Sequence, residues 1–176
     1  MPRERKTRLI AHLDEDWKRK VENVRQAAAR LWERPTHRHT VDHSLDHADR
    51  VVVLLDGLTE VLMERPEHAL ASGEIYILLA AAYLHGIGLQ DEQSEPDPAV
   101  RWARYPELGA EMIYRALEAP EEAASLGLAD DPSLVEMVAL VMAGHGQTDY
   151  PAPDYDDFGV GGAMVRPRLL TALLCL

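Results

Sequence analysis

Histidine is the residue type here that could do chemistry, and its spacing is the first thing to explain. His43 and His47 lie four apart and would share one helix face, His85 ends a run of apolar residues, and His145 sits between Gly144 and Gly146. Neutral imidazoles or carboxylates converging from different helices let a helical bundle hold a catalytic metal, with one coordination position left open for water. A single helical histidine is more often a packed or capping residue than a ligand. Three of them, each on a different apolar helix, weaken that bland reading for His47, His85 and His145.

The elements that would position these residues follow from periodicity. Leu9, Leu13, Trp17, Val21, Val24, Ala28 and Leu31 recur at three and four and predict an amphipathic helix that Pro35 ends. His37 and His39 fall in a polar connector and read as surface residues. A second helix is expected from about Asp42 to Met63, with Leu45, Ala48, Val51, Val52, Leu55, Leu58 and Leu62 inward and Arg65-Pro66 as its stop. A third runs from an N-cap at Ser72 to His85, apolar nearly all round, as a central helix should be.

The acidic stretch from Gln90 to Val100, with Pro96 and Pro98, reads as a loop. Pro106 fits the first turn of a fourth helix ending near Leu117, and Asp131-Pro132 starts a fifth that runs to about Ala143. Thr148 to Gly162 reads as a long surface loop, of the kind that often serves as a lid. Its Asp154, Asp156 and Asp157 could attract a cation or be an acidic solvated loop. The last helix starts at Pro167 and is still apolar at Leu176, so a longer protein of which this is an N-terminal piece is expected. The fold class is all-α, a bundle of about six helices in one domain over residues 1–176.

Composition narrows the function classes. The 176 residues are 47% hydrophobic and 27% charged, which is globular, and the net charge of −12 excludes an extended nucleic-acid surface. One cysteine, Cys175, rules out an intrachain disulfide and fits a reducing cytoplasm. No apolar run is read as approaching the ~20 residues of a membrane span, and Met1 to Ile10 lacks a signal-peptide core, so a cytoplasmic protein without membrane contact is expected.

Four segments in order are similar to something known. His47-Ala48-Asp49-Arg50-Val51, Ala81-Ala82-Tyr83-Leu84-His85-Gly86-Ile87-Gly88, Pro106-Glu107-Leu108-Gly109-Ala110-Glu111 and then His145 resemble the signature segments of the HD superfamily of metal-dependent phosphohydrolases. The resemblance covers roughly Asp42 to Leu176. It implies an HD-domain helical bundle that hydrolyses phosphoesters, usually of nucleotides, with one or two divalent metals (Mn, Zn, Mg, Fe or Ni). By position His47, His85 and His145 match metal ligands, with His85 catalytic as well. Tyr105 stands where many members have a further histidine, which makes it a substrate-binding candidate.

Arg101 is the candidate to steady a phosphate and assist catalysis, with a solvated helix charge as the alternative; His43 is substrate-facing or simply solvated. A small phosphorylated molecule, nucleotide-like, is the expected partner, together with a homodimer or a downstream domain. The His-Ser-Leu-Asp-His and Ala-Ala-Tyr-Leu-His segments look similar to HD domains that precede chaperone-type (GHKL) ATPase domains in bacterial proteins.

Three departures from the pattern bear on chemistry: Tyr105 in place of a histidine, the family's last aspartate, which follows an apolar helix resembling Leu169 to Leu176 where this sequence stops, and Gly86. Gly86 stands where the family has the aspartate that charges the site and bridges its metals. A glycine supplies neither charge nor oxygen, unless it is there as a helix C-cap beside Gly88. Two readings follow: a phosphohydrolase domain of doubtful activity, or a catalytically degenerate HD domain used for ligand sensing or protein interaction.

Overall fold

The computed structural model describes residues 8–33, 44–128, 130–145, 158–160 and 163–175. Eight α-helices form among them: α1 (Arg8–Ala11), α2 (Glu15–Trp32), α3 (Leu45–Met63), α4 (Ser72–Leu84), α5 (Pro98–Glu118), α6 (Pro120–Ser125), α7 (Pro132–Ala143) and α8 (Pro167–Cys175). A 3-10 turn, Ile87–Gln90, follows α4. The all-α bundle expected from the sequence is what forms. One small addition is an antiparallel ribbon of β1 (Phe158–Val160) and β2 (Ala163–Val165), with Gly159 opposite Met164.

The bundle is built around α4. Every residue from Glu74 to Leu84 is buried, and α2, α3, α7 and α8 all pack on it. A helix surrounded by protein has no polar face to keep, which is why its sequence shows no amphipathic stripe. Ser72–Gln90 is long and apolar enough to cross a membrane by length and composition alone, which corrects the reading that no such run exists. It is 89% buried inside the fold, however, and the core is where those residues go.

Several boundaries differ from expectation for local reasons. The first predicted helix is two, because Asp14 turns extended and caps α2 by accepting from Trp17 N at 3.0 Å. α4 takes Ala71, not Ser72, as its cap position, and the Glu74 carboxylate accepts from Ala71 N at 2.9 Å instead. The largest correction is α5, which starts at Pro98, two turns before Pro106.

Asp97 caps α5 by accepting from Ala99 N at 2.8 Å, with Pro98 in the first turn, as Asp131 and Pro132 do for α7. Pro106 lies inside the helix, where its missing N–H costs one intrahelical bond. α5 is held instead by burying Leu108, Gly109, Ala110 and Ile113 and by packing against α7 and the 3-10 turn. The end of the predicted 148–162 loop is strand at Phe158–Val160, and Asp154, Asp156 and Asp157 lie outside the described residues.

Gly88 shows how closely these elements meet. A Cβ there would lie 2.0 Å from Tyr105 O and 2.6 Å from Gly109 N, so only glycine lets the 3-10 turn sit on α5. Gly86 differs. Its φ of −94° and ψ of −2° lie where any L residue can sit, so its backbone does not require glycine and it is not a left-handed C-cap.

A histidine cavity at the C-terminal end of the central helix

His85 caps the C-terminal end of α4 and is 4% exposed. Its Nδ1 lies 2.7 Å from Ala82 O, so Nδ1 carries the hydrogen and Nε2 is turned away from the helix. His47 stands in the first turn of α3, whose start is fixed by Ser44 Oγ accepting from His47 N at 3.4 Å. The two imidazoles meet with Nε2 to Nε2 at 3.2 Å.

His145 approaches from the turn after α7, held by its N–H on Met142 O at 3.0 Å. Its ring centroid is 5.2 Å from that of His85, edge to face, and 6.1 Å from that of Tyr105. The structure therefore gathers His47, His85, His145 and Tyr105, four residues far apart in the chain.

These four line a cavity of about 310 Å³, together with Cys175 and aliphatic side chains of α3 and α8. Cys175 Sγ donates to Gly144 O at 3.3 Å, which ties the end of α8 to the turn that carries His145. Burial, then the nearby Cys175, raises the Tyr105 phenol above its usual range, so it remains a hydrogen-bond donor at neutral pH. No Asp, Glu, Lys or Arg is among the described walls of the cavity.

One other candidate falls elsewhere. Arg101 is 2% exposed and donates through Nη1 to Glu95 O, pinning the segment before α5; it is not among the cavity walls. The start of α5 at Pro98 explains this, because it puts Arg101 in the first turn on the inward face of the helix, where it is not a solvated charge reaching outward. His43 lies outside the described residues.

The sequence also gave no role to Asp49, the carboxylate two positions after His47. It points to α2, where Arg25 Nε donates to Oδ1 at 3.0 Å and Nη2 to Oδ2 at 2.8 Å. Tyr83 sits beside that pair, its phenol raised above the usual range first by burial and then by the Asp49 charge. The sequence also gave no wall role to Cys175 or to the aliphatic residues of α3 and α8 that line the cavity, Leu54 and Leu58 among them.

The imidazole pair fits part of a metal site. Two nitrogens held about 2.0–2.1 Å from one tetrahedral ion lie roughly 3.3 Å apart, close to the observed 3.2 Å. A ligand histidine commonly donates its other N–H to a backbone carbonyl, as His85 does to Ala82. The rest of the ligand set does not form: among the described residues no group of three or more His, Cys, Asp or Glu converges to hold an ion. The position that would add a carboxylate is Gly86.

Compared with known proteins, residues 37–176 match the family model described as HD-CE. Neither the curated proteins nor the solved structures give a match.

Proposed function

The chain belongs to the HD-CE family, and on that premise we propose that it is an HD-type domain that binds a ligand in the histidine cavity without turning over a phosphoester. The observation that carries this is the composition of the described walls: three imidazoles, one phenol and one thiol, with no carboxylate and no guanidinium. Hydrolysis at a metal centre needs charge to hold the ion and a cation or donor set to neutralise the phosphate. Gly86 contributes neither, and Arg101 is buried away from the described walls, with Nη1 on Glu95 O.

The active reading, a metal-dependent phosphohydrolase acting on a nucleotide-like phosphoester, has one observation in its favour: the chelating separation of His47 and His85. A divalent ion bound there would supply Lewis-acid polarisation of a phosphoryl oxygen. His85 would be held in its binding tautomer by Ala82 O, and Tyr105 would donate a hydrogen bond into the cavity.

A phosphodiesterase assay separates the readings. Purified protein is analysed for bound metal, then incubated with a generic phosphodiester and manganese beside a Gly86→Asp variant. Metal without turnover in the unaltered protein, and turnover appearing in the variant, is the result expected. Turnover by the unaltered protein removes the non-hydrolytic reading. Failure of either protein to bind metal removes the assignment of His47 and His85 as an ion-binding pair.

A further inference from the structure

Helix α3 is apolar on two sides. Ala48, Val52, Leu55 and Thr59 face the core. On another side Leu54 is 65% exposed, Val61 60% and Leu58 43%, and half-buried Val51 continues the line. Positions 51, 54, 58 and 61 are spaced three, four and three apart, which is the seam that packs one helix against another. A contiguous apolar line of this kind on a protein surface marks a contact site.

We infer that this seam is a dimer interface, in which α3 of a second copy lies antiparallel along α3 of the first. The seam is symmetric about position 56. A reversed copy would place Leu54 against Leu58 and Val51 against Val61, so the same surface is its own complement, as a twofold interface requires. The flank agrees. Exposed Arg50, Gly57 and Glu64 follow at seven-residue intervals along one edge of the seam. Reversal brings Arg50 of each copy beside Glu64 of the other and puts Gly57 near the twofold axis.

A Cβ at Gly57 would meet nothing within 4 Å of its own chain, so that space is open for a close helix crossing. A parallel pairing uses the same apolar residues, but it sets the edge carrying Arg50 and Glu64 against Ala48, Leu55 and Leu62. Ala48 and Leu55 are in the protein's own core, so no charges meet there. Charge complementarity therefore selects the antiparallel copy. Because Val51, Leu54 and Leu58 also line the histidine cavity, the second copy would lie along its rim. The inference does not depend on metal binding.

Sedimentation analysis of the whole chain at high micromolar loading tests it. The unaltered protein should be a dimer. Val61→Glu, outside the cavity, should weaken association about tenfold or more. Arg50→Glu should weaken it by a similar factor through two like-charge contacts, and Arg50→Glu combined with Glu64→Arg should restore it. Unchanged helical circular dichroism in each variant separates lost association from lost folding. A monomer at all loadings, a dimer indifferent to Val61→Glu, or no recovery in the double variant would overturn the inference.

Discussion

The two ends of α4 use polar groups in opposite ways. At the N-terminal end, buried Glu74 accepts from Ala71 N at 2.9 Å and from Arg166 N, Nε and Nη2 at 2.8–2.9 Å. Arg166 in turn donates to His68 O and Ala69 O. That network pins β2 and the start of α8 to the head of the central helix, and the protein satisfies every atom of the carboxylate. At the C-terminal end, His85 Nε2 and His47 Nε2 lie within hydrogen-bond distance of each other beside a cavity whose described walls include no Asp, Glu, Lys or Arg. A polar network completed by protein holds a fold together, whereas a pair of imidazoles beside a cavity lies where a ligand could compete for their nitrogens.

Substitutions can break this contrast, and the largest effect belongs to the pinned end. Glu74→Ala leaves Arg166 and Ala71 N without their acceptor and should cost about 4 kcal/mol in urea unfolding. Gly88→Ala follows, at about 3 kcal/mol, because the new methyl meets backbone at Tyr105 and Gly109 rather than a side chain that could move. The cavity end should behave differently. His47→Ala is expected to cost about 0.5 kcal/mol or less in stability, because the side chain is only half buried. It should nevertheless lower affinity for a divalent ion by about tenfold or more, read by calorimetric titration.

A smaller effect is expected at Asp91, at the end of the 3-10 turn. Burial alone would raise its carboxyl, but hydrogen bonds from Arg115 and Ser94 outweigh that and hold it below the usual range. A carboxyl depressed in the folded state stabilises above its unfolded value of about 3.9 and loses that contribution as the pH falls through the folded value. Arg115→Leu should therefore flatten the acid side of the stability curve below about pH 4. Equilibrium unfolding followed across that range is the measurement.

Much of the fold could be read from periodicity, because α2, α3, α4, α7 and α8 each carry a long apolar pattern with a recognisable start or stop. α5 was misjudged because Pro106 outweighed the Asp97-Pro98 start that works as Asp131-Pro132 does. The ribbon was missed because three-residue strands carry no period. The histidines could be found because three of the eight in the chain sit on or at the end of apolar helices. Arg101 was misplaced for the same reason as α5. The walls Leu54, Leu58 and Cys175 needed tertiary structure, since nothing local says which apolar residue faces a cavity. Gly86 and Gly88 look alike in the sequence, yet the backbone angles at Gly86 do not require glycine, whereas the close approach of Tyr105 and Gly109 at Gly88 does.

The most direct test of the account is a cobalt titration of the unaltered protein, His47→Ala and His85→Ala, followed by visible absorption, with thermal unfolding of each. One ion bound by the unaltered chain, lost in both variants while His47→Ala keeps its unfolding midpoint, is the predicted result. Absence of binding, or binding that survives both substitutions, would contradict the claim that His47 and His85 form an ion-binding pair.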